Sequence, residues 1–227
     1  MRGTEAVPVW EVRPAPESWG PTALGPDPVW RTVAPLPPFE LADGSGPAKE
    51  QTSVRLVWDP EALWIRFDCE DKDAWSTFQR RDDPLWEEEA VEVFLAAGED
   101  VPKRYFELQI SPLGVLFDAV VDNPRGDRRG MVTDPAWDCE GIHWAAGPAA
   151  LRQDWWAVVR LPWSGLLPAN QPRPSIWRAN FFRIERPRRR PDELSAWSSP
   201  GTDPPDFHRP ERFGSLRLVA PDRWRQW

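Results

Sequence analysis

Apolar residues recur at every second position of this chain, in short runs broken by turn residues, and that period is the signature of half-buried strands. Val54, Leu56 and Trp58 alternate with Ser53, Arg55 and Val57. After the turn Asp59-Pro60-Glu61-Ala62, the residues Leu63, Ile65, Phe67 and Cys69 alternate with Trp64, Arg66 and Asp68. The two runs predict a β-hairpin with one buried face. Residues 87–95 form the next strand, and residues 105–111 and 115–121 make a second hairpin around Pro112-Leu113-Gly114. Further strands are expected around Trp144 and over residues 155–161, 177–184 and 215–219. Residues 162–167 read as a short helical turn, and no long helical period appears. The expectation is an all-β chain, an antiparallel β-sandwich of jelly-roll or immunoglobulin-like type.

Residues 1–50 are rich in Pro and Gly, with isolated apolar positions at Trp10, Trp30 and Phe39. They read as an extended wrap over the core with one or two short edge strands. Residues 70–83, 123–134 and 186–191 read as charged or Gly/Arg-rich loops. With no internal repeat and no linker-like segment, residues 1–227 are expected to form one domain.

Composition narrows the function classes. A formal charge of −8 and a pI near 5.0 argue against nucleic acid or anionic membrane as the main partner. No apolar run approaches membrane-spanning length, and the first residues lack the apolar centre of a signal peptide. The expectation is a cytoplasmic protein, or a secreted one whose leader has been removed. Cys69 and Cys139 are too few for a four-cysteine zinc site; one bridge between them stays open, and buried thiols are the simplest reading. No nucleophile elbow, phosphate loop or zinc-protease motif is present, so no catalytic residue is assigned. Glu87, Glu88, Glu89 and Glu92 could supply a glycosidase carboxylate pair only in principle. The 16 tryptophans invite a sugar-binding interpretation. Yet only Lys49, Lys72 and Lys103 supply lysine among 28 basic residues, a bias that a GC-rich coding sequence produces together with abundant Trp and Pro.

The stretch Trp86-Glu-Glu-Glu-Ala-Val-Glu-Val-Phe94 carries the sharpest functional signal. Val91, Val93 and Leu95 form a buried face, so Glu92 points the other way beside Ala90 and Phe94. A carboxylate on an apolar surface is costly unless a cation or donors meet it. Trp86 just upstream adds a flat aromatic surface, on which a pyranose face gains from apolar burial. Each residue has a second reading: Trp86 as core, and Glu92 as a structural ion pair with Arg183 or Arg66. Glu107 and Glu185 share a similar phase on nearby strands, which predicts an Arg/Glu cluster able to meet a hydroxylated or charged ligand.

Taken in order, the motifs resemble the family 9 carbohydrate-binding modules and their DOMON-like relatives. The matching pieces are Val54-Arg-Leu-Val-Trp-Asp59, Leu63-Trp-Ile-Arg-Phe67, Trp86 through Phe94, Tyr105-Phe-Glu-Leu-Gln-Ile-Ser-Pro-Leu-Gly114, Trp155-Trp-Ala-Val-Val-Arg-Leu-Pro-Trp163 and Trp177-Arg-Ala-Asn-Phe-Phe-Arg-Ile-Glu185. Ala196-Trp-Ser198 and Phe207-His-Arg-Pro-Glu-Arg-Phe-Gly-Ser-Leu216 close the set. The resemblance implies a non-catalytic β-sandwich that clamps one sugar unit between two aromatics, at Trp86 and near Phe207, with Glu92 accepting bonds from sugar hydroxyls. This sequence has Phe207 where the modules have Trp. A basic residue of the modules is replaced near Glu107, and an amide near Phe182 or Arg183. The fold therefore transfers better than the ligand. Arg183 and His208 are further candidate ligand contacts, and Trp75 and Trp197 candidate rim residues, with a small sugar or oligosaccharide as partner.

No cofactor is assigned from the residues; modules of the resembled family often hold a structural calcium, which leaves one open here without a placed site. Asp68, Glu70, Asp71 and Asp73 are the acidic run that calcium or plain solvation would explain. The DOMON-like relatives raise haem as the rival ligand, with His208, His143 and Met131 as the few axial candidates.

Overall fold

The computed structural model describes residues 6–149 and 154–220. The described residues form thirteen strands: β1 (Val9–Pro14), β2 (Glu40–Leu41), β3 (Thr52–Trp58), β4 (Ala62–Cys69), β5 (Ala90–Ala97), β6 (Arg104–Ile110) and β7 (Leu116–Asp122), then β8 (Val132–Asp134), β9 (His143–Pro148), β10 (Trp155–Pro162), β11 (Ile176–Glu185), β12 (Glu193–Ala196) and β13 (Gly214–Leu218). One four-residue helix, α1 (Trp163–Leu166), follows β10 at the helical turn expected there. No helix among the described residues is long and apolar enough to cross a membrane.

Two sheets pack face to face. The first runs β8-β7-β6-β5-β11-β13-β1, with β12 and then β2 added beside β11; the second runs β1-β3-β4-β10-β9. The expected hairpins are β3–β4 and β6–β7. The sandwich is thus the expected architecture, with one change of topology. β1 is no edge strand: it pairs in parallel with β13 on one side and with β3 on the other, and so stitches both sheets together. Its sequence is short, Pro-flanked and weakly patterned, so nothing local marks it as central.

The period-2 pattern sets which residues lie between the sheets. Val54, Leu56, Ile65, Phe67, Ala157 and Val159 from one sheet meet Val91, Val93, Leu95, Leu108, Ile110 and Phe181 from the other. Phe67 and Phe181 touch edge-on across the gap, with ring centroids 6.2 Å apart. Cys69 and Cys139 are buried free thiols in this core; burial first of all pushes each up to about 12. The first sheet also carries a second apolar layer on its outer face, built from Phe94, Tyr105, Phe182, Phe207 and Phe213. That layer forms because Phe94 and Phe182 occupy outward positions of β5 and β11, and the chain after β12 folds back to cover them.

Candidate functional site

β5 and β11 lie side by side in antiparallel register, with Phe182 opposite Glu92 and Arg183 opposite Val91. Opposite residues share a face and successive ones alternate. Glu92 is therefore on the outer face and Arg183 on the inner one. The expected Glu92–Arg183 pair does not form, and neither does an Arg/Glu cluster spanning Glu107 and Glu185, because the sheet itself separates them.

Arg183 closes the inner cluster. Its Nη2 donates to Asp71 Oδ2 at 2.6 Å and to Glu185, lies 3.8 Å from Glu89, and its guanidinium covers the Trp155 ring at 4.9 Å. Asp71, Glu89 and Glu185 come within 4.8 Å of one another here. Burial, with repulsion from Glu185 and Asp71, pushes Glu89 up to about 9; burial likewise raises Glu185 to about 7 against the pull of Arg183. The cluster ties the β4 end of one sheet to β5 and β11 of the other.

The outer face differs. One row across the sheet reads Phe117 on β7, Gln109 on β6, Glu92 on β5 and Phe182 on β11; the next reads Ala119, Glu107, Phe94 and Asn180. Glu92, Glu107 and Gln109 are 3%, 5% and 1% exposed. Gln109 Nε2 donates to Glu107 Oε1 at 2.8 Å, which leaves the buried Gln109 Oε1 with no donor. No hydrogen bond supports Glu92 among the described residues. Burial, then the Glu107 charge, holds its carboxyl well above the usual range, and the more distant Arg128 and Arg186 offset this only in part. Burial pushes Glu107 up to about 7. Arg128 is itself bonded to Asp206 at 2.9 Å, and Arg186 to Asp192.

Aromatic side chains flank this row. Trp86 sits on the turn before β5, edge-on to Phe117 with centroids 5.3 Å apart, and at 43% exposure it is the exposed tryptophan of the described residues. On the far side Phe207 stacks on Phe182 at 4.2 Å with planes 17° apart. Phe207 is only 8% exposed, so Phe182 takes most of the face it was expected to offer a ligand. Trp75 is half-buried, its indole donating to the Arg186 carbonyl at 2.7 Å, while Arg186 Nε donates to the Trp86 carbonyl at 3.2 Å. The Arg186 loop thus joins Trp75 to the Trp86 wall.

Two expected contacts are redirected. Trp197 is core, not rim: it is 5% exposed, packs on Phe181, and lies where any Cβ on Gly214 would meet its ring at 2.3 Å. His208 stacks on Phe94 at 5.0 Å, and its Nδ1 shares a 2.8 Å hydrogen bond with the Tyr105 hydroxyl. Burial brings it down to about 4, so it is neutral at pH 7 and backs the outer face through Phe94.

The fold and this geometry can be set against known proteins. The family described as carbohydrate family 9 binding domain-like matches residues 23–118. A protein of the fungus Arthroderma benhamiae, described as an extracellular protein, is 31% identical over 180 residues, covering 74% of this chain and 79% of its own. A candidate carbohydrate-binding protein from Bacteroides uniformis superposes with a TM-score of 0.73 at 16% identity, over 93% of this chain and 99% of that one. The family 9 carbohydrate-binding module of Caldicellulosiruptor kristjanssonii, solved with cellotriose, gives 0.59 at 15% identity over 95% of each chain. Its glucose complex gives 0.60 at 16%, over 95% of this chain and 97% of that one. The chain belongs to the carbohydrate family 9 binding domain-like family.

Within a family 9 fold, the residues raised for the two non-sugar alternatives, calcium and haem, are largely engaged elsewhere. The acidic run disperses: Asp68 pairs with Arg55 and Arg66, Asp73 with Arg188, and Asp71 turns inward to Arg183. The acidic residues that do converge, Asp71, Glu89 and Glu185, already enclose the Arg183 guanidinium, so this donor set does not suit calcium, which takes six to eight oxygens. Of the haem candidates, His143 is exposed on β9 of the second sheet, while Met131 packs against the aromatic layer beside His208, whose Nδ1 is held by Tyr105. A cavity of about 670 Å³ lies on the outer face of the second sheet. Its Arg55, Arg66 and Asp68 satisfy one another at 2.7 and 2.9 Å, and Arg66 lies over Trp156, so these three charged groups are already partnered.

Gln109 is the site residue that the sequence reasoning missed. It stands two positions after Glu107 in the same alternating strand, and that spacing alone assigns it to the same face.

Proposed function

We propose that this family 9 domain is a non-catalytic sugar-binding module whose site is the outer face of β5 and β6, with Trp86 as the stacking wall and Glu92, Glu107 and Gln109 as the polar floor. The supporting observation is that this row holds buried acceptors with no protein donor beside the one exposed tryptophan of the described residues. A buried polar group without a partner is costly, and a sugar hydroxyl supplies the missing donor. The step from Phe117 to Phe182 spans three strand spacings, roughly 14 Å, which gives a pyranose ring room between the aromatics. The solved family 9 module with glucose and cellotriose supports the same class of ligand. One exposed platform plus a few hydrogen bonds gives micromolar or weaker affinity, on the order of −8 kcal/mol or less. Isothermal titration against mono- and oligosaccharides tests the reading: saturable binding of at least one sugar is expected, and no heat from any sugar at millimolar concentration overturns it.

A further inference from the structure

The polar floor is rich in acceptors; its donors are the remaining Gln109 N–H and the proton that burial favours on Glu92. Among the described residues, Glu92 makes no hydrogen bond, Glu107 accepts one from Gln109, and the buried Gln109 Oε1 has none. Glu92 and Glu107 occupy adjacent strands two residues apart in register, close enough that each charge works against the other. The arginines that feel this face, Arg128 and Arg186, are bonded to Asp206 and Asp192 instead. His208, next to Phe94, is neutral and committed to Tyr105, so it adds no positive charge.

We infer that the preferred ligand is an amino sugar, its ammonium seated over Glu92, Glu107 and the Gln109 carbonyl while its ring lies against Trp86. The inference rests on the sugar-binding reading above and names the sugar class. A hydroxyl brings one donor and no charge, so it meets only part of this acceptor-rich floor. An ammonium brings three donors, no acceptor and one positive charge, which matches two adjacent carboxyls and an orphan carbonyl. Trp86 adds attraction for a cation at the ring face. A divalent metal would find too few oxygens here and no use for the aromatic flank. N-acetylation removes the charge and two of the three N–H donors, so an N-acetyl sugar loses the match.

The test is titration at pH 7 of glucosamine, galactosamine and mannosamine, each against its neutral parent and its N-acetyl derivative. At least one amino sugar is expected to bind about 10-fold more tightly than both counterparts, with Glu107→Gln bringing that ratio close to one. The glutamine is isosteric and removes a buried charge, so the variant should fold, and its thermal transition reports this directly. Neutral sugars binding as tightly as amino sugars overturn the inference while leaving the sugar-binding reading intact. A preference that survives Glu107→Gln also overturns it. Binding of no sugar at all overturns both.

Discussion

The two faces of the β5–β11 pair handle buried acid in opposite ways. On the inner face three carboxyls converge on Arg183, which bonds two of them directly and lies 3.8 Å from the third. On the outer face two carboxyls and an amide carbonyl stand with no cation in contact among the described residues and one internal hydrogen bond among them. The first arrangement carries its own counter-charge and ties the sheets, though Arg183 Nε and Nη1, Glu89 Oε1 and Glu185 Oε1 find no hydrogen-bond partner among the described residues. The second is open, and an open set of buried acceptors is stable only at a cost that a bound donor can offset. Burial and charge alone do not distinguish a structural cluster from a ligand site. The presence of a counter-charge does.

The comparison can be broken most forcefully at Arg183. Arg183→Met leaves Asp71, Glu89 and Glu185 without their cation, and loss of one partner from a buried ionic cluster costs about 3–5 kcal/mol. The urea midpoint at pH 7 should fall accordingly, and the loss should shrink at acid pH, where the carboxyls take up protons. A change below about 1 kcal/mol would mean that the inner cluster is not the structural tie described.

The outer face should show the reverse sign. Glu107 is pushed from 4.5 up to about 7 by burial. Between those pH values the folded chain holds a proton that the unfolded chain releases. Its penalty is therefore absent below about pH 4.5, grows as pH rises, and levels off above about pH 7. Glu107→Gln should raise stability by about 2 kcal/mol at pH 8 and leave it nearly unchanged at pH 4. Denaturant unfolding across that range reads the difference, and a destabilised variant at pH 8 would show that Glu107 has a partner holding its charged form.

The smallest effect belongs to the aromatic wall. Trp86 is exposed and touches Phe117 edge-on, so Trp86→Ala should weaken sugar binding about 10-fold, roughly 1.4 kcal/mol, with a much smaller change in unfolding free energy. Titration calorimetry and thermal melts on the same sample separate the two. A variant that loses stability and keeps its affinity would return Trp86 to a packing role.

The hairpins, the strand around Trp86 to Phe94 and the outward direction of Glu92 were legible because they depend on local alternation, which the chain displays openly. β1 was not legible as the strand joining both sheets, since its place depends on parallel partners distant in sequence. For the site, Trp86, Glu92 and Glu107 were legible through type and phase, and Gln109 was legible in phase but passed over. Arg183 was misplaced because its charge suggested Glu92, while its odd position in β11 puts it on the opposite face. Phe207 and Trp197 show a further limit. An aromatic after the last long strand looks alike in sequence whether it meets solvent or, as here, is covered by Phe182 or fitted against Gly214.

Carbon-detected NMR of the side-chain carboxyls, titrated with pH with and without the tightest-binding sugar, tests the difference between the faces most directly. The account predicts that the ligand moves the titrations of Glu92 and Glu107 and leaves those of Glu89 and Glu185 where they were. A ligand that moves the Glu89 and Glu185 titrations, or that leaves all four unchanged, would contradict it.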